Sequence, residues 1–364
     1  MLLFRKSYLA LDIGNKNMKM VWGGTEKDKI HIYEYGIVNS PADSIKDGRI
    51  INPAAIARVV KEFIKKHKIK TDKMIANITG TGVITRDIQL PKSTDEEIEK
   101  MLEYEARQYF PVDLGNYVLD YKVQEEVMNP EGVFNRLILA AVPVKQADEY
   151  MEIPHLLDME MKAMDLPANS ISKSLFGFGA GRNRADENYQ VREFAVLDIG
   201  SDTTGVYIFY DGRLKFNRIL LNGSSDVDRL ISKEFNVALK QAEEIKRLKA
   251  KVFSEEDEVK ELPELVQLCR AIRPAVNNII TDISRFFDFY NSRNTGNKIE
   301  TIYICGGGSK LKGLDAYIGS YFNISAERIS SPDSVVYKGN RRQEEFKEDF
   351  ACLVSAIGAV VRYN

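Results

Sequence analysis

The chain of 364 residues lacks what several common chemistries need. Its three cysteines, Cys269, Cys305 and Cys352, are odd in number and far apart, with no CxxC pair. That argues against a disulfide scaffold and a thiolate zinc site, and for a reducing, cytoplasmic compartment. The three histidines, His31, His67 and His155, are equally scattered, so a histidine metal site or triad has no spacing to rest on. Charge of neither sign dominates: 51 basic against 53 acidic residues leave a net charge of −2. The basic excess expected of a nucleic-acid surface is absent. Long apolar runs are missing too. No stretch approaches the roughly 20 apolar residues that span a bilayer. The opening "MLLFRKSYLALDIG" meets Arg5 and Lys6 too early for a secretory signal. Any membrane association is expected to come through a partner.

What is present is an ordinary globular composition, 44% hydrophobic and 29% charged, with length for about two domains. One phrase occurs twice. "YLALDIGNKNMKMVWGG" begins at Tyr8, and "FAVLDIGSDTTGVYIFYDG" begins 186 residues later at Phe194. In the first copy "SYLALDI", "MKMVWG" and "KIHIYEYGIV" read as three strands, with Gly23-Gly24 as the second turn. In the second, "EFAVLDI", "TGVYIFY" and "LKFNRILL" repeat the order, and Asp211-Gly212 supplies that turn. A helix follows each meander, "NPAAIARVVKEFIKKH" and "SDVDRLISKEF". Agreement of turn, spacing and following helix marks an internal duplication.

Between the copies lies a different unit, an α-β-β-α block over about 83–166. Its first helix, in "LPKSTDEEIEKMLEYEARQYFP", carries a Thr94/Glu97 capping box and stops before Pro111. Two strands, "NYVLDYKVQEEV" and "FNRLILAAVPV", follow, and "KQADEYMEIPHLLDMEMKAM" reads as a helix interrupted near Pro154. "GAGRNRADENYQVR" has no periodicity and reads as an exposed connection. After the second meander come "ALKQAEEIKRLKA" and a long helix whose Leu268, Ile272, Val276, Ile279, Ile283 and Phe286 share one face. Pro274 is expected to kink that helix or mark its start. "IETIYICGGGSKLKGLDAYI" is a strand, a glycine turn and a helix, and "FACLVSAIGAVVRYN" closes the chain as a helix of small residues.

A glycine directly after a buried strand lets the backbone turn sharply and present amides outward. Gly14, Asn15, Lys16, Asn17 and Met18 form one such loop, and Gly200, Ser201, Asp202, Thr203 and Thr204 the other. Amide hydrogen bonds to a charged oxygen contribute roughly 1.5–3 kcal/mol each, so two facing loops suit a polyphosphate. Asp12 and Asp198 end the two strands. Like charge keeps them off phosphate, but they suit Mg²⁺ and its waters, which bridge to phosphate. Lys19 adds a point charge. Gly306, Gly307 and Gly308, followed by Ser309, offer either a plain turn or a flat surface for an adenine ring. Glu243 and Lys246 offer either an i,i+3 ion pair or a ribose acceptor beside a base pocket.

These pieces, in this order, resemble the actin-like ATPase superfamily. The two phosphate loops match "LDIGNKNMK" and "LDIGSDTTG", the adenosine motif matches "IYICGGGS", and the alanine-glutamate-x-x-lysine pattern matches "AEEIK". The resemblance implies an α/β actin-like ATPase fold: two duplicated ribonuclease-H-like lobes flanking a nucleotide cleft, with an FtsA-type inserted subdomain. It implies ATP and Mg²⁺ as ligands, held by the residues just named. The expected division is a first-lobe core over 1–82, the insert over 83–166 and a return over 167–189. A second-lobe core over 190–222, a helical subdomain over 223–298 and a further core stretch with the adenosine motif over 299–338 follow, then a helix over 339–364 returning to the first lobe. Within the insert, "IQLPKSTDEEIEKMLEYEARQYFPVDLGNYVLDY" resembles the PilM family of type IV pilus assembly proteins. The amphipathic membrane helix that ends FtsA proteins has no counterpart here. That family resemblance implies a cytoplasmic, nucleotide-switched scaffold. It would dock the N-terminal tail of a bitopic, PilN-like membrane protein in a groove between the first subdomain and the insert, with "ITRDIQLP" as a wall, and link it to motor ATPases. A cell-division filament protein and a small-molecule kinase are the alternatives. Lys16 and Asn17 depart from the small serines usual in the first loop, and Lys16 is expected to point to solvent. No residue is marked as a base for water attack, so slow hydrolysis and binding without turnover both stay open.

Overall fold

Each Asp-Ile-Gly phrase ends a strand whose apolar residues are buried on both faces, and the structure is built outward from these two strands. A computed structural model describes residues 6–176, 192–294 and 298–362; most of the expected connection "GAGRNRADENYQVR" lies outside them. The chain opens with the meander β1 (Ser7–Ile13), β2 (Asn17–Glu26) and β3 (Lys29–Asn39). A small hairpin, β4 (Ile45–Lys46) and β5 (Arg49–Ile50), leads to α1 (Pro53–His67) and β6 (Lys73–Asn77). The insert supplies β7 (Ile84–Pro91), α2 (Asp95–Tyr109), β8 (Tyr117–Asn129) and β9 (Gly132–Pro143). Then come α3 (Val144–His155), β10 (Glu160–Asp165) and α4 (Pro167–Phe176). The second copy gives β11 (Glu193–Ile199), β12 (Thr204–Tyr210) and β13 (Arg213–Leu220), followed by α5 (Ser224–Phe235), α6 (Leu239–Leu248) and α7 (Pro263–Arg293). The chain ends with β14 (Thr301–Cys305), α8 (Leu314–Phe322), β15 (Ser325–Arg328), β16 (Val335–Tyr337) and α9 (Gln343–Ala359).

The duplication is written into the sheets. The first has the order β10-β6-β1-β2-β3-β16 and the second β13-β12-β11-β14-β15. In both, the Asp-Ile-Gly strand pairs antiparallel with its hairpin partner and parallel with the strand on its other side. Asp12 is opposite Lys19 and Asn77, and Asp198 is opposite Gly205 and Cys305. The sixth strand, β16, lies after the second-lobe elements yet pairs parallel with β3. Between the sheets lie α4 and α9. They share one core with Ala10, Val21 and Ile75 on one side and Phe194, Val196 and Tyr207 on the other. Residues 350–359 of α9 are buried all round, as a helix with no polar face requires. Gly358 is small because α4 passes against it: a Cβ there would lie 1.6 Å from the Ser170 carbonyl oxygen.

The insert is a three-stranded sheet in the order β7-β9-β8, packed on α2 through Ile98 and Leu102. The Thr94/Glu97 capping box is formed. The sheet includes "ITRDIQLP" as β7, so the block reads β-α-β-β, and the expected α-β-β-α order is corrected. Its last expected element is corrected as well. The helix over "KQADEYMEIPHLLDMEMKAM" stops at His155, and Glu160–Asp165 pairs parallel with β6 in the first-lobe sheet. Two further expectations change. The β2–β3 turn falls at Lys27-Asp28, with φ of 47° and 60°, not at Gly23-Gly24. Those glycines lie inside β2, where a Cβ on Gly24 would come 2.3 Å from the Lys6 carbonyl oxygen. Asp211-Gly212, with φ of 49° and 74°, does form the matching turn of the second copy. Helix α7 starts at Pro263 and continues through Pro274.

Candidate functional site

The carboxyl ends of β1 and β11 open into one cleft between the lobes, with a volume of about 600 Å³. Asp12, Gly14, Asn15, Lys16, Asn17 and Lys19 line it from the first copy. Asp198, Gly200, Ser201, Asp202 and Thr203 line it from the second, with Glu243, Lys246, Gly307 and Gly308 completing the set. Gly306 and Ser309 do not line the cleft. They stand behind it, where the Ser309 hydroxyl donates to the Gly306 carbonyl at 2.7 Å and shapes the turn.

The two loops have the same internal bonding. The Gly14 amide donates to the Asn17 carbonyl at 3.1 Å, and the Gly200 amide to the Thr203 carbonyl at 2.8 Å. Their carbonyls are bonded backwards into the protein. Gly14 O accepts from the Ser40 hydroxyl and Lys16 O from the Ser40 amide. Gly200 O and Ser201 O accept from the amides of Ser224 and Ser225. The amides of Asn15, Lys16, Ser201 and Asp202 have no acceptor among the described residues. Two sets of outward amides with their carbonyls tied behind are the backbone arrangement that binds anions. Across the cleft the loops touch: the Asn15 side-chain amide donates to Asp202 at 2.6 Å. Burial would raise the Asp202 pKa, but hydrogen bonds from Asn15, Ser225 and Ser201 hold it below its usual value.

Asp12, Lys19 and Asp198 form a charge cluster at the base. Lys19 lies 3.4 Å from Asp12. Burial works against the Lys19 charge, yet Asp12 and Asp198 outweigh it and hold its pKa above the ordinary lysine value. Asp198 is pushed up to about 6, first by burial and then by the Asp12 charge, with Lys19 and the Cys305 thiol opposing. Gly306 adopts φ +80° against this carboxylate, and a Cβ there would sit 2.4 Å from Asp198 Oδ1. A Cβ on Gly308 would meet Ile199 Cγ2, also at 2.4 Å. Gly307 differs: nothing lies within 4 Å of where its Cβ would point. Among the described residues no group of three or more His, Cys, Asp or Glu could hold a metal ion. The two aspartates would therefore need a ligand's own oxygens to complete a magnesium shell.

The helical wall departs from expectation. Lys16 does not point to solvent but reaches across to Glu243 at 2.8 Å and lies 3.7 Å from Asp228. Lys246 donates to the Ser224 carbonyl at 2.8 Å and to Asp228 at 2.9 Å, so the Glu243–Lys246 pair is replaced by two others. Burial lowers the Lys246 pKa, against the opposing pull of Asp228. Asp228 was not singled out in the sequence, though it is buried on α5 and its Oδ1 has no hydrogen-bond partner. Ile279 and Ile280 of α7 also face the cleft. The periodicity showed a buried face there but not that part of it borders a cavity.

A family model described as "Type IV pilus assembly protein PilM" matches residues 10–364. The structure of a PilM-PilN type IV pilus biogenesis complex is similar, with a TM-score of 0.82, 23% identity and coverage of 98% of each chain. The structure of MreB 5 of Spiroplasma citri bound to AMPPNP has a TM-score of 0.53 at 12% identity, over 98% of this chain and 95% of that one. These likenesses show an actin-like ATPase fold. Cell division protein FtsA of Bacillus subtilis is 22% identical over 278 residues, 70% of this chain and 61% of its own length. FtsA of Neisseria meningitidis is 21% identical over 258 residues, 65% of this chain and 60% of its own length. The chain thus spans about three fifths of the length of the curated relatives it matches.

Proposed function

Because this chain belongs to the family of the type IV pilus assembly protein PilM, we propose that it is an ATP-binding scaffold of a pilus machine, held at the membrane by a bitopic partner. The observation that carries the nucleotide part is the pair of anion-ready loops facing one cleft, with four amides directed outward. In this reading the amides of Asn15, Lys16, Ser201 and Asp202 receive phosphate oxygens. Gly307 and Gly308 lie under the base, and Glu243 accepts from the ribose once Lys16 is drawn to phosphate. Asp12 and Asp198 hold the waters of Mg²⁺, and the ion neutralises the phosphate charge that the two carboxylates would otherwise repel. A neighbour with the same fold is bound to AMPPNP, which supports the assignment.

Titration calorimetry tests it. Mg-ATP should bind, and chelating the metal should weaken ATP at least about tenfold, since bare triphosphate then faces two carboxylates. Equal affinity with and without Mg²⁺ would remove Asp12 and Asp198 from the site.

For the partner, the reading is that the cytoplasmic tail of a PilN-like protein docks between the first subdomain and the insert. Residues linking these parts include Gln146 at the start of α3, which donates to the carbonyls of Gly48 at 3.1 Å and Thr79 at 2.7 Å. The structure of a PilM-PilN complex supports a partner of this kind. Among the described residues no helix is long and apolar enough to cross a membrane, so the partner would supply the anchor. Adding the tail peptide should slow amide exchange in β7 and α1. Protection confined to the second lobe would refute the groove. Nucleotide fixing the angle between lobes would then present or withdraw that groove.

A further inference from the structure

The insert also meets the second lobe, and the charges at that contact are mostly matched. Glu125 accepts from Lys215 and pairs with Arg213, each at 2.9 Å, and Arg136 grips Asp87. Beside them opens a second cavity, of about 370 Å³, between β7, β13 and the end of α7. Arg86, Arg218 and Arg293 line it, and none of the three is paired with a carboxylate among the described residues. Their partners are neutral. Arg86 donates to the carbonyls of Tyr109 at 2.9 Å and Thr85 at 2.8 Å, and Arg218 to that of Asn217 at 2.7 Å. With five N–H donors on each guanidinium, most of their capacity is unused. Burial, and then the nearby Arg86 charge, hold Arg218 below the ordinary arginine range. Asn217 Oδ1, on the same wall, is buried without a partner. Phe289 is 41% exposed at the rim, with Arg293 stacked 4.4 Å from its ring centre.

Half-buried cations that repel each other and lack a counter-ion are unfavourable unless an anion joins them. We propose that this pocket receives an acidic peptide segment of a protein partner, one carboxylate lying between Arg86 and Arg218 and a neighbouring apolar side chain resting on Phe289. Planar guanidiniums suit bidentate carboxylates. The shape favours a peptide over a small metabolite, because a metabolite site encloses most of its ligand, whereas this cavity is bordered by β7 and β13, each an edge strand of its sheet. Edge strands have main-chain groups free to meet an extended chain. The site is separate from the nucleotide cleft and from the groove between the first subdomain and the insert.

Fluorescence anisotropy with a labelled peptide of alternating glutamate and phenylalanine, titrated with the full chain, reads this directly. Binding should weaken as salt rises. Arg218→Glu should lower affinity at least about tenfold, as expected when one partner of a charge-assisted pair is reversed. Arg293→Glu, at an exposed position that no core contact depends on, should lower it about threefold and guards against a folding defect. Equal binding of a peptide with glutamine in place of glutamate would overturn the proposal, as would undiminished binding by both variants. Displacement of the peptide by millimolar inorganic phosphate would also overturn it, showing a small-anion site instead.

Discussion

Gly307→Asp is expected to lower the affinity for Mg-ATP by about 100-fold or more while leaving the melting temperature nearly unchanged. The split follows from where each glycine of the triad points. A side chain at Gly306 or Gly308 would strike Asp198 or Ile199 at 2.4 Å, so substitutions there act on the fold and should destabilise it by roughly 1–3 kcal/mol. At Gly307 there is open space, so the protein accommodates a side chain that a bound base would not. A carboxylate there would also add charge of the same sign as the phosphates in a cleft of low effective dielectric. Calorimetric titration beside a thermal melt reads both quantities. A large fall in melting temperature would mean that Gly307 is packed, and unchanged affinity would mean that the nucleotide lies elsewhere.

Asp198→Asn should make the protein more stable at pH 7 and worse at binding Mg-ATP. The folded-state pKa of about 6 exceeds the ordinary 3.8. Between these values the folded chain holds a proton that the unfolded chain releases, so stability falls as pH rises from about 4 to about 6. Asparagine keeps the shape without the charge. It should remove that slope and raise the melting temperature at pH 7 by about 3 °C. The same change should weaken Mg-ATP about tenfold, because a neutral amide no longer holds the metal's waters against phosphate. For the wild type, affinity should decline below about pH 6 as Asp198 takes up its proton. Melting curves from pH 4 to 8 on both proteins test the first part; a variant that keeps the slope would place the titrating group elsewhere. Stability given up at one carboxylate is what a ligand site requires.

The sequence showed the site largely because it is duplicated. Asp12 and Asp198 each sit at the end of an apolar strand before a glycine, and repetition turned an ordinary turn pattern into a pair of facing loops. What it hid depended on contacts between distant residues. Lys16 was open to solvent in any local reading, and only the fold brings Glu243 within 2.8 Å. Gly23-Gly24 looked like a turn because glycine often is one, but these two are small because β1 and β3 pass close by. The real turn, Lys27-Asp28, uses residues with no strong turn signature, and the φ of 47° and 60° is set by the paired strands around it. "EMKAMD" had helix-forming methionine, lysine and alanine, yet Met161 and Met164 pack on the first-lobe core and the segment pairs with β6, so tertiary contact overrode propensity.

Manganese in place of magnesium, with AMPPNP, gives the most direct test of the central claim, because its anomalous scattering locates the ion in a crystal. The ion should appear in the cleft between Asp12 and Asp198, with the phosphates against the amides of Asn15, Lys16, Ser201 and Asp202. An ion and nucleotide bound outside this cleft, or phosphates touching only one of the two loops, would contradict it.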